Sequence, residues 1–278
     1  MSEATLPQGT IRYTESGDGH PIVFVHGLLV DGRLWRKVTP LLPGYRCIVP
    51  DFPLGSHRVP INPDADLTPP GFGRMIADFL EALDLRDVTL VANDTGGAMS
   101  QITAAHHPER IGRLVLTDCD AFENFPPPAF RPLQYAAKVP GMLTAVMQGM
   151  RVGLMRRAPN AFGWLIKRDI ADAPLRDWVD PFLSDAEIRR DTVKVLKGIH
   201  PRYTLEAAER LRSFDRPVLL VWAKEDRFFK PKFAERLAAT IPGARLEWID
   251  DSYTFVSEDQ PERLAGLIRE FAPAKSPA

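Results

Sequence analysis

Short apolar runs alternate with stretches whose apolar residues recur three or four positions apart. Residues 21–25 (PIVFV), 46–49 (RCIV), 88–91 (VTLV) and 114–117 (LVLT) read as buried strands. Between the second and third, residues 72–83 place Met75, Ile76, Phe79, Leu80 and Leu83 at helical spacing. Residues 97–106 read as a helix that stops ahead of His107-Pro108. This alternation predicts a parallel sheet with helices on both faces. From about 122 to about 214 the strand signal disappears. The segment opens with three prolines at 126–128, and helices are expected around 140–155, 162–170, 185–197 and 205–211. It is too long for a loop and reads as an inserted helical subdomain. The alternation then resumes with a strand at 218–222, a helix at 231–240, a strand at 246–249 and a last helix at 261–271. The predicted class is α/β, with a core over 1–121 and 214–278 and a helical cap over 122–213.

Composition narrows the partners. The 278 residues suit one large domain with an insertion, and 35 Lys and Arg balance 36 Asp and Glu. A net charge of −1 removes the electrostatic case for nucleic acid or an anionic membrane surface. No apolar run approaches the roughly 20 residues of a bilayer span. The start, MSEATLPQGT, lacks the basic and apolar stretches of a secretory signal. Cys47 and Cys119 are too few for a disulfide framework, and no metal-ligand spacing, dinucleotide fingerprint or Walker loop is present. These features predict a cytoplasmic monomer or homodimer without cofactor or metal, acting on a small hydrophobic substrate. The final PAKSPA reads as a frayed tail.

The segment 88–100, VTLVANDTGGAMS, runs from a buried strand directly into a helix. Ala92, Gly96 and Gly97 flank a lone acidic residue, Asp94. A sharp strand-to-helix turn needs small neighbours because two backbones pass close together there, and it holds the central side chain above the sheet edge.

This turn resembles the nucleophile elbow of the α/β-hydrolase fold superfamily, G-x-S-x-G, with Asp94 in the serine's place. The resemblance continues through His26-Gly27 with Trp35 following, Asp51 after a strand, His107-Pro108-Glu109-Arg110-Ile111, and Trp222-Ala223-Lys224-Glu225-Asp226. An aspartate at the elbow is similar to the haloalkane dehalogenase and epoxide hydrolase branch. The chemistry agrees, because carboxylate attack on a saturated carbon gives a stable alkyl ester that water can later cleave. The resemblance implies Asp94 as nucleophile, the backbone N–H groups of Leu28 and Thr95 as the oxyanion site, and Asp226 as the triad acid. Thr95 stands where that branch usually carries Trp.

The resemblance also implies a histidine base after the last strand. Aligned on Glu258 to Arg263, this chain puts Tyr253 and Thr254 there; Thr254 cannot take a proton from water near neutral pH, and Tyr253 could only with a strongly lowered pKa. His57, on a loop at the sheet's C-terminal edge, is a candidate replacement base, as are Asp226 and Glu123. His26 belongs to the oxyanion loop. His106 and His107 close a helix, whereas His20 and His200 read as surface residues. Tyr135 and Tyr203 are cap candidates for protonating an opening ring, and Trp164 could line the pocket or hold a halide. Three readings remain: hydrolysis through an Asp94 ester with a non-standard base; a lyase, isomerase or cyclase using Asp94 as acid and base; and a catalytically silent protein that binds a hydrophobic ligand.

Overall fold

A computed structural model describes residues 1–273; residues 274–278 of the expected tail lie outside the described part. Eight strands form one sheet: β1 (Ser2–Leu6), β2 (Gly9–Ser16), β3 (His20–Val25), β4 (Tyr45–Pro50), β5 (Val88–Asp94), β6 (Ile111–Cys119), β7 (Val218–Ala223) and β8 (Arg245–Ile249). Their order is β1-β2-β4-β3-β5-β6-β7-β8. The pairs β1–β2 and β2–β4 are antiparallel and the others parallel. Every residue of β3, β5 and β7 is buried, as expected for strands covered on both faces. The six expected strands are present, each extended by one to five residues. The β1–β2 hairpin was not expected, because it buries only Ala4 and Leu6 on one strand and Ile11 and Tyr13 on the other.

Helix α1 (Pro69–Ala82) starts where Thr68 accepts a hydrogen bond from the Gly71 N–H, and it buries Phe72, Met75, Ile76, Phe79 and Leu80. Helix α2 (Thr95–His106) packs against β5, β6 and α1. Between β6 and β7 come α3 (Arg131–Lys138), α4 (Met142–Gln148), α5 (Gly153–Arg156), α6 (Asp172–Ser184), α7 (Ala186–Gly198) and α8 (Pro201–Leu211). Helices α9 (Pro231–Thr240), α10 (Val256–Asp259) and α11 (Pro261–Phe271) complete the chain. Among the described residues, no helix is long and apolar enough to cross a membrane.

The insertion departs from its sequence pattern in four places, the first being α3, which lies outside every expected helix. The helix expected at 140–155 is divided into α4, a 3-10 turn at Gly149–Arg151, and α5. Residues 164–170 are not helical, because the backbone N–H groups of Lys167 and Arg168 donate instead to the Asp259 carboxylate at 3.0 and 2.9 Å. Helix α6, unexpected because Pro181 interrupts its pattern, buries Leu175, Trp178, Val179 and Phe182. Helix α8 packs on α2 and α9, which places it in the core layer and leaves α3–α7 as the helices over the site. Trp178 fastens that group to the core by donating its indole N–H to Asp31 Oδ1 at 3.2 Å.

Candidate active site

Strand β5 ends at Asp94, whose φ of +55° and ψ of −134° lie where a side-chain-bearing residue is strained by about 1–3 kcal/mol. The surroundings hold it there. A Cβ on Gly27 would sit 2.5 Å from Asp94 Cβ. One on Gly96 would sit 2.3 Å from the His26 carbonyl oxygen, and one on Gly97 2.2 Å from Cys119 Cβ. The small residues are therefore a steric requirement of the turn.

The Asp94 carboxylate accepts from the Thr95 N–H, and the Leu28 N–H also favours its charge. Burial nevertheless wins, pushing its pKa up to about 6, with the neighbouring Asp226 adding to the rise. Asp94 is thus largely ionised at neutral pH, solvated by backbone dipoles where a cation is more usual. It opens onto a cavity of about 320 Å³ lined mainly by apolar side chains, including Leu28, Leu29, Phe130, Met147, Phe162 and Leu165. The polar groups among the lining residues are Asp94, Thr95, Asp120 and Asn160.

Three further carboxyls are buried close by. Asp120 Oδ2 accepts from the Thr95 hydroxyl at 3.3 Å, and Oδ1 has no hydrogen-bond partner among the described residues. Burial and the Asp94 charge push the Asp120 carboxyl well above the usual carboxylate range. Asp118 and Asp226 form a separate pair. Asp118 Oδ1 accepts from the Ala223 N–H at 2.9 Å; Asp226 Oδ1 accepts from the N–H groups of Phe228 and Phe229 at 2.7 and 2.6 Å. Their Oδ2 atoms find no donor elsewhere among the described residues. Burial raises both; the Asp226 charge raises Asp118 further, while Asp118 as a donor favours the charged form of Asp226, so the pair keeps a proton, held by Asp118 and shared toward Asp226. The Thr254 hydroxyl lies beside Asp226, outside good hydrogen-bond geometry.

Of the residues singled out in the sequence, Leu28 and Thr95 join Asp94 at the cavity, and Asp226 lies buried behind it. The other candidates do not line it. His26 is buried, with Nδ1 on the Gly27 carbonyl (2.9 Å) and Nε2 accepting from the Phe52 N–H (3.0 Å); burial holds it near 4, neutral and structural. His57 is engaged away from the cavity: Nδ1 accepts from the Gly55 N–H, and Nε2 lies 3.3 Å from Asp191 on α7. Trp35 is core, packed on Phe24 at 5.2 Å. Glu123 is at the surface, paired with Arg236 at 2.6 Å. Tyr135 is 62% exposed, and Tyr203 engages Arg202 outside the cavity. Trp164 stacks with Arg227 and Phe228, and the Tyr253 hydroxyl accepts from Arg227 at 2.7 Å. Thr254 is fully buried, its carbonyl held by Asn93 Nδ2 at 2.9 Å. His20, expected at the surface, is buried 2.8 Å from the Thr89 hydroxyl.

Asp120 escaped the sequence reading, which favoured Glu123 three residues on. The usable signal was position: Asp120 immediately follows β6, the neighbour of the elbow strand, where side chains at the strands' carboxyl ends face the site.

Residues 20–261 match the model for the alpha/beta hydrolase fold family. A cis-3-alkyl-4-alkyloxetan-2-one decarboxylase from Xanthomonas campestris pv. campestris is 29% identical, over 95% of this chain and 93% of the relative. A haloalkane dehalogenase from Agrobacterium fabrum is 27% identical, over 93% and 86%. Among solved structures, an alpha/beta hydrolase fold protein from Burkholderia ambifaria superposes with a TM-score of 0.80 at 20% identity, covering 97% of both chains. The haloalkane dehalogenase DbeA from Bradyrhizobium elkani superposes with a TM-score of 0.78 at 21% identity, also covering 97% of both. With the topology, the family match over most of its length and these relatives agreeing, the chain belongs to the α/β-hydrolase fold family.

Proposed function

We propose that this chain is an enzyme whose Asp94 carboxylate attacks a saturated carbon of a small apolar electrophile, an epoxide or alkyl halide. The observation that carries the reading is the placement of Asp94: a strained elbow presents an anion to an apolar cavity, solvated by two backbone N–H groups. A carboxylate so stripped of water is a stronger nucleophile, and the cavity excludes competing water. Attack transfers the carbon from its leaving group to an Asp94 oxygen. Hydrolysis at Cγ then develops an oxyanion that the Leu28 and Thr95 N–H groups are placed to stabilise.

A second reading takes support from Thr254, which offers no base where the superfamily resemblance calls for histidine, and from the decarboxylase relative. If Asp94 opens a four-membered lactone at its C–O carbon, the freed carboxylate can leave as carbon dioxide. The electron pair of the broken C–C bond forms an alkene and expels Asp94, so no water is needed. A single turnover in ¹⁸O-water separates the two. Hydrolysis places heavy oxygen in the Asp94 carboxylate, whereas decarboxylation leaves it unlabelled and yields alkene and carbon dioxide.

A further inference from the structure

Asp120 is almost fully buried, borders the same cavity as Asp94, and has one oxygen with no partner among the described residues. A buried, unsatisfied carboxyl oxygen is costly unless it meets something that enters the cavity. Thr95 ties the two acids together, its N–H on Asp94 and its hydroxyl on Asp120. The lining residues offer few other proton sources: the Thr95 hydroxyl and the Asn160 amide are too weakly acidic, and Tyr135 and Tyr203 lie outside. A halide leaves without a proton and so does the carboxylate of an opened lactone, but the oxygen of an epoxide leaves as an alkoxide and needs one.

We propose that Asp120 is the general acid of this site, giving its proton to the ring oxygen of an epoxide as Asp94 attacks the ring carbon. This inference rests on Asp94 being the nucleophile. In the first step an Asp94 oxygen bonds to carbon, the ring C–O bond breaks, and the Asp120 proton ends on the new hydroxyl. Asp94 becomes a neutral ester, so the charge that helped hold the Asp120 proton is gone at the moment Asp120 becomes a carboxylate. In the second step Asp120 takes a proton from water while the water oxygen attacks Asp94 Cγ. Collapse releases the diol oxygen, which takes the remaining water proton, and both acids return to their starting states. One carboxyl therefore serves as acid and then as base, supplying what His57 and Thr254 do not.

The test is alkylation of Asp120→Asn, followed by rapid quench and intact mass, with epoxyhexane and bromohexane as probes. The proposal expects epoxyhexane to alkylate the variant about 100-fold more slowly or worse, the scale of lost general acid catalysis, while bromohexane stays within about threefold. Asp120→Glu, which keeps an ionisable carboxyl, should recover part of the epoxide rate. Equal slowing with both probes, or no slowing with either, overturns the proposal. The bromohexane rate also reports whether the variant is folded. A second measurement follows the proton: on alkylation by epoxyhexane, the wild-type infrared spectrum should lose the deuterium-sensitive carboxyl band that is missing from Asp120→Asn, and persistence of that band contradicts the proposal. If wild-type Asp94 is alkylated by neither probe, the nucleophile reading itself fails, an outcome distinct from those above.

Discussion

Two pairs of buried aspartates gather at the carboxyl ends of β5, β6 and β7, and they are placed differently. Asp94 and Asp120 border the cavity, linked through Thr95. Asp118 and Asp226 are sealed behind them, each with one oxygen satisfied by backbone N–H groups. All four are pushed upward by burial, so a raised pKa does not tell which are chemical. Access does. Asp94 and Asp120 belong to the cavity lining, where an entering ligand would meet them, whereas Asp118 and Asp226 do not line it and can satisfy their unpartnered oxygens by sharing a proton.

The largest break in the comparison comes from Asp94→Asn. The amide keeps the elbow's shape and removes the proposed nucleophile, so alkylation by either probe should fall by at least about 10³-fold in rapid-quench mass measurements. Residual alkylation near the wild-type rate would show that the anion at the elbow is not the attacking group. Next comes the elbow's packing. Gly97→Ala drives a Cβ against Cys119 and is expected to cost about 1–3 kcal/mol in denaturant unfolding.

The sealed pair is probed by pH. Asp118 keeps its proton when folded but loses it on unfolding once the pH exceeds about 4. The unfolded state then binds fewer protons than the native state, so this group's contribution falls as pH rises, until its folded value is passed. Asp118→Asn removes that slope. Relative to wild type, the variant should gain stability as pH climbs above about 4, by at most about 1.4 kcal/mol per unit. A difference independent of pH would mean that Asp118 is ionised in the folded protein. The smallest effect belongs to Glu123→Gln, which loses an exposed pair with Arg236; less than about 1 kcal/mol and no change in alkylation rate are expected.

The elbow was legible in the sequence because its requirement is local: a carboxyl between small residues, at the junction of a buried strand and a helix. The six strands beyond the hairpin were legible for a similar reason, since continuous apolar runs survive any tertiary context. The insertion was harder. Lys167 and Arg168 leave helical geometry for a carboxylate over ninety positions away, a partner no local window contains. His57 looked available on its loop, yet its engagement with Asp191 depends on how α7 packs over the core. The choice of Glu123 over Asp120 has the same origin. Both follow β6, and only the path of the chain after the strand decides that one meets Thr95 and the other Arg236.

The central claim is that Asp94 becomes covalently esterified, and the mass of its peptide after rapid quench tests it most directly. Wild-type protein mixed with epoxyhexane or bromohexane and digested within the first turnover should carry the added alkyl group on the peptide containing Asp94. Product formed with that peptide unmodified throughout, or an adduct on another residue, would contradict the account.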